Sequence, residues 1–151
     1  EDKQEVTMSG LSVGIIGAGI GGLTAATALA KRGMRVTVYE QASHFVPRVG
    51  AGFGFSPNGQ VCLKSLGIET RHLLHRFDRL VHLDSTGKAN VESDIFAQVL
   101  QRHGFTSGGC LRADLVATLQ DAFVKTTSEN DCLLYSHKLI SMEEDDRKVL
   151  L

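Results

Sequence analysis

The sequence predicts an α/β fold: a parallel sheet built on one βαβ unit, joined by antiparallel hairpins. Three observations carry this expectation. Between Leu11 and Glu40, two short β-branched runs flank a glycine turn and an alanine-rich stretch, the pattern of strand, helix and parallel strand. Farther on, "CLRADLVATLQDAFVK" sets Leu111, Leu115, Val116, Leu119 and Phe123 mostly three or four positions apart, which marks one apolar helix face. Two polar segments, "DSTGK" and "DDR", each separate short strand-like runs, as hairpin turns do.

Taken in order, residues 1–10 read as a flexible tail, because "EDKQEVTMS" is polar and without periodicity. "LSVGII" is the first strand, and "GGLTAATALAKRG" the helix after it. Lys31 and Arg32 suit the negative end of that helix and Gly33 a left-handed cap, so the helix stops near Arg32. "MRVTVYE" then alternates with period two, and "ASHFVPRVGAGFGF" reads as a loop of small residues. In "SPNGQVCLKSLGI", Ser56 is placed to cap and Pro57 to open a helix running to about Leu66. "FDRLVHLDSTGKANVES" is the first hairpin; the helix of "CLRADLVATLQDAFVK" follows and "TTSEND" ends it. "CLLYSHKLISMEE" and "KVLL" form a second hairpin, with the last residue inside its returning strand, so a fragment or shortened product is expected. Residues 11–151 are read as one domain, a length that buries roughly 70% of the surface its unfolded chain exposes.

Composition narrows the function. Sixteen Lys and Arg against seventeen Asp and Glu leave no basic field for nucleic acid. Cys62, Cys110 and Cys132 stand 48 and 22 residues apart, matching neither a zinc knuckle nor a disulfide framework, so reduced thiols and a cytoplasmic location are expected. His72, His75 and His82 lack a carboxylate or cysteine to complete a metal set. Leu11–Ala30 has the length of a membrane span, but five of its twenty residues are glycine and the preceding tail is acidic, so no integral membrane segment is expected. Neither a G-x-S-x-G elbow nor a phosphate-binding-loop lysine occurs.

The turn itself, Gly17, Ala18, Gly19 and onward to Gly22, is G-x-G-x-x-G between strand and helix. In a dinucleotide site the first glycine permits the sharp turn, the second clears the pyrophosphate, and the third lets helix and strand approach. The helix start offers N–H groups and about half a positive charge to phosphates. Glu40, 18 residues after Gly22 at the tip of the second strand, is placed to accept hydrogen bonds from both ribose hydroxyls. That acid repels a ribose 2′-phosphate, which leaves FAD or NAD in a Rossmann-like site.

Three stretches resemble the FAD-dependent aromatic-ring hydroxylases, the single-component flavoprotein monooxygenases related to salicylate and para-hydroxybenzoate hydroxylase. "GAGIGGLTAATALAKRGMRVTVYEQ" is shared by many flavoproteins, "VGAGFGFSPNGQVCLKSLGI" is more specific, and "CLRADLVATL" looks like the family's Arg-x-x-Leu helix start; together they span about Leu11 to Phe123. The resemblance implies FAD as cofactor, NAD(P)H as a transient co-substrate, and O2-dependent hydroxylation or epoxidation of a small aromatic or polyketide-like molecule. It also implies that Gly50, Ala51 and Gly52 pass close to the ribityl chain and flavin, and that Arg112 reaches ribityl and phosphate oxygens. Arg112 opens a helix, where the dipole disfavours a cation unless an anion sits nearby. Arg48 stands one position after the family's usual arginine, where this chain has Pro47, and is left unassigned. Segments with Asp-Gly and Gly-Asp, which family members carry farther along, are absent from this chain, so the isolated chain is expected to be inactive. Catalytic residues are not assigned. A non-catalytic nucleotide-binding module and an NAD-linked oxidoreductase are the alternatives.

Overall fold

A computed structural model of the chain describes residues 10–45, 51–127, 132–144 and 149–150. Two compact units divide it, one from Glu1–Pro47 with Val116–Leu151, the other from Arg48–Leu115.

In the first unit, strand β1 (Ser12–Ile16), helix α1 (Ile20–Ala30) and strand β2 (Arg35–Tyr39) form the βαβ crossover. β1 pairs parallel with β2, Val13 opposite Val36 and Ile15 opposite Val38. One sheet face thus gathers the branched side chains against α1, whose Leu23 and Ala26 are fully buried beside the buried Val36 and Val38. Thr27 is fully buried in the same helix without a desolvation penalty, because its hydroxyl donates back to the Leu23 carbonyl at 2.9 Å. α1 ends as the sequence predicts: Gly33 has φ +81°, and the Arg32 guanidinium donates to the Ala28 carbonyl at 3.1 Å. The Leu11–Ala30 stretch is therefore strand, turn and an 11-residue helix, and among the described residues no helix is long and apolar enough to cross a membrane.

The second unit holds β3 (Gly52–Phe55), α2 (Pro57–Ser65), a 3₁₀ turn at Arg71–Leu73, β4 (His75–Arg76), β5 (Leu80–Leu83), β6 (Ala89–Ser93), α3 (Ile95–His103) and β7 (Gly108–Leu111). β7 lies between β3 and β4, antiparallel to both. The expected first hairpin is β5 with β6; its loop closes on Asp84, which accepts from the Thr86 N–H and hydroxyl and the Lys88 N–H. Those bonds, the Thr86 hydroxyl foremost, hold the Asp84 carboxyl below its ordinary pKa. Pro57 opens α2 as predicted, but Ser56 bonds the Asn58 side chain and caps no backbone N–H. A buried polar bridge ties this unit together: the Gln60 amide, 1% exposed, donates to the Thr106 carbonyl at 2.6 Å and the Phe55 carbonyl at 3.4 Å. Gln60→Ala leaves both carbonyls without that donor and is expected to cost about 1–3 kcal/mol; an unchanged urea midpoint would show the bridge to be energetically idle.

Helix α4 (Arg112–Thr126) runs from the second unit into the first. Leu115, Val116, Leu119 and Phe123 are buried as the spacing predicts, whereas Leu111 is 47% exposed because it belongs to β7. Strand β8 (Leu133–Leu134) then corrects the second hairpin. It joins β2 in parallel and makes the order β1-β2-β8, leaving β9 (Glu143–Glu144) as the partner of β10 (Val149–Leu150). The head of "CLLYSHKLISMEE" is drawn off because β2 carries an open ladder edge that satisfies its backbone groups. Cys62, Cys110 and Cys132 form no disulfide, and burial raises the Cys110 thiol pKa.

Candidate functional site

The glycine turn is built by three different constraints. Gly17 has φ +99° and donates its N–H to the Tyr39 carbonyl at 2.7 Å, extending the β1–β2 ladder into the turn; here the backbone conformation itself favours glycine. Gly22 is held by packing: a Cβ there would stand 2.0 Å from the Gly17 carbonyl oxygen and 3.4 Å from Ile15 Cγ2. Gly19 has φ −82° and ψ −176°, an extended conformation that suits any residue. It occupies the N-cap position of α1 with no side-chain cap, and the first turn itself holds no acid, so its N–H groups meet no carboxylate from that turn.

Glu40 reaches this turn. One carboxylate oxygen accepts the Ala18 N–H at 2.8 Å and the other the Ala42 N–H at 2.9 Å. Its peptide is gripped from the far side of β2, its N–H donating to the Leu134 carbonyl at 2.8 Å and its carbonyl accepting the His137 N–H at 2.9 Å. Tyr135 stands nearby with its hydroxyl on Gln120 at 2.9 Å; burial first, and the Glu40 charge second, raise its pKa. Ile16, Gly17, Tyr39, Glu40, Gln41 and His137–Leu139 line a cleft of about 230 Å³. The wall from His137 to Leu139 is not foreseen from the sequence, since only the β2–β8 pairing brings it beside Glu40.

The remaining candidates lie in the second unit. Ala51 accepts the Arg112 N–H at 3.3 Å, and Gly52 opens β3 opposite Leu111. A Cβ on Gly52 would make only ordinary contacts, 3.6 Å from the Cys110 carbonyl, so packing leaves room for a side chain. Arg112 is exposed at the first turn of α4, with no ion pair to any described residue. Gly50 and Arg48 lie outside the described residues. His72 falls in the 3₁₀ turn, His75 in β4 and His82 in β5, and among the described residues no group of three His, Cys, Asp or Glu could hold a metal.

Comparison with known proteins fits this geometry. Residues 15–54 match the NAD(P)-binding Rossmann-like domain family. A dual trans-enoyl reductase/FAD-dependent monooxygenase of Aspergillus terreus is 32% identical over 91% of this chain and 19% of its own length. An FAD-dependent urate hydroxylase of Klebsiella pneumoniae is 30% identical over 87% of the chain and 33% of its own. The crystal structure of Klebsiella pneumoniae HpxO with FAD and uric acid superposes with a TM-score of 0.78 at 26% identity, covering 95% of the chain and 35% of HpxO. The chain belongs to the FAD-dependent aromatic hydroxylase-like family. It corresponds to the amino-terminal portion of these flavoprotein monooxygenases and spans a fifth to a third of the relatives' length. The Rossmann-like match, residues 15–54, runs from the end of β1 through α1 and β2 to β3.

Proposed function

We propose that this chain is the FAD-binding share of a flavin-dependent monooxygenase that hydroxylates or epoxidises a small aromatic or polyketide-like molecule with NAD(P)H and O2. The observation that carries the proposal is the placement of the Glu40 carboxylate 2.8 Å from the Ala18 N–H. That acid closes the glycine turn at the tip of β2, the position from which a carboxylate holds a ribose diol, beside a helix start with no acid in its first turn.

The residues fit the cofactor on the chemistry of the donor set. Gly19, whose backbone conformation suits any residue, stands at the start of α1 where a missing side chain clears a diphosphate. First-turn N–H groups of α1 bind that diphosphate, Glu40 orients the adenosine ribose, and a ribose 2′-phosphate is repelled. Ala51 and Gly52 let backbone approach the ribityl side, and the Arg112 guanidinium meets an anionic oxygen. FAD, when bound, supplies hydride acceptance and oxygen activation; this chain's residues bind and orient it. The names of relatives support the substrate class: the Klebsiella pneumoniae matches are a urate hydroxylase and a structure solved with uric acid.

Titration of the chain with FAD, read by flavin absorbance and fluorescence with NAD as competitor, tests the proposal. Saturable flavin binding that NAD fails to displace is expected. No flavin binding would overturn it, and displacement by NAD would favour an NAD-linked oxidoreductase. Arg112→Ala is expected to weaken FAD about tenfold or more, as loss of a charged hydrogen bond does; unchanged affinity would remove Arg112 from the site.

A further inference from the structure

Beyond β8 the parallel ladder slips by one residue. Val38 and Glu40 donate to the carbonyls of Cys132 and Leu134, so a regular ladder would bring the Ser136 N–H to the Glu40 carbonyl. Instead the His137 N–H occupies that carbonyl at 2.9 Å, and the Ser136 N–H goes to Ala42 at 2.8 Å. Ser136 takes up the extra residue at φ +60°, a left-handed conformation that no other non-glycine adopts among the described residues. Such a bulge bends a strand and re-aims the side chains beyond it. Here it sets His137, Lys138 and Leu139 along the cleft that also contains Gly17 and Glu40, and the same segment continues to Ser141 along an adjoining cavity of about 300 Å³.

The His137 ring is oriented as well. Its Nδ1 lies 2.7 Å from the Tyr135 carbonyl oxygen. A carbonyl only accepts, so Nδ1 carries the proton, and in the neutral ring Nε2 is left as an acceptor. Tyr39 flanks the ring, with centroids 6.0 Å apart.

We propose that His137, set by the Ser136 bulge, is a base-selecting residue of this site, its Nε2 accepting a hydrogen bond from an amino group on the nucleobase. This rests on the dinucleotide reading of Gly17–Glu40. A base with a carbonyl at that position would set lone pair against lone pair, and so be disfavoured.

ADP and IDP, which differ in that amino group against a carbonyl and in a proton on the neighbouring ring nitrogen, are the probes, titrated calorimetrically at pH 8. Wild type is expected to bind ADP about tenfold more tightly than IDP, the difference between a satisfied and an opposed acceptor. His137→Ala brings the ratio to near one, and so does His137→Gln, whose amide turns to accept from an amino group or to donate to a carbonyl. Ser136→Gly keeps the ratio because glycine adopts the left-handed conformation without strain, while Ser136→Val lowers it with the fold intact by circular dichroism. Equal ratios in wild type and His137→Ala overturn the proposal and leave the dinucleotide site standing. Absence of binding by either nucleotide overturns both.

Discussion

Gly22→Ala is expected to unfold the first unit's crossover or shift α1 away from β1, at a cost of ~3 kcal/mol or more. The added Cβ would sit 2.0 Å from the Gly17 carbonyl oxygen and 3.2 Å from its carbon, and both are backbone atoms with no rotamer by which to withdraw. Overpacking against side chains costs about 1–3 kcal/mol because they rearrange; here the helix axis must move. The shift also moves the first-turn N–H groups of α1 relative to Ala18 and Glu40, so FAD binding is expected to fall with stability. Gly21→Ala is the control, since nothing stands within 4 Å of its Cβ, and helix propensity favours alanine there by roughly 1 kcal/mol. Urea denaturation of the two variants decides the matter. Equal midpoints would mean that the helix and strand have slack at their crossing.

How far the chain is legible from its sequence depends on the range of the forces involved. β1, α1 and β2 are written locally: period-two Val36 and Val38, the basic pair before Gly33, and glycines at fixed spacing all act within one supersecondary unit. The Pro57–Ser65 and Arg112–Thr126 helices are legible for the same reason. β3 and β7 were hidden because Gly52, Gly54, Gly108 and Gly109 depress strand propensity. Gly108 is there for packing, since a Cβ would lie 2.7 Å from the His75 carbonyl oxygen; the close pairing that makes the strand also removes the side chains that announce one. α3 is not among the expected elements although it carries local signals, an Asp94 N-cap position and Gly104 at φ +70°. None of its residues is buried, so no core stripe points to it. At the candidate site, Gly17, Gly22 and Glu40 could be found by spacing. His137 could not, because its place beside Glu40 depends on a parallel pairing and a one-residue slip far along the chain.

Glu40→Ala is expected to weaken FAD roughly ten- to a hundredfold, the worth of one charged hydrogen bond at about 1.5–3 kcal/mol. The variant also removes an acceptor from the Ala18 N–H, in a residue only 8% exposed, so a loosened turn would contribute to any loss. Two further measurements separate the effects. Glu40→Gln retains an oxygen for one N–H while losing the charge, and should recover stability without recovering affinity. The second is the preference for ADP over 2′,5′-ADP, whose extra phosphate sits on the ribose. A loosened turn weakens both ligands alike. A missing carboxylate at the diol removes repulsion from the phosphate alone, so the preference for ADP should shrink in both variants. A preference that survives unchanged would place the ribose away from Glu40, and the orientation of the dinucleotide on this turn would have to be abandoned.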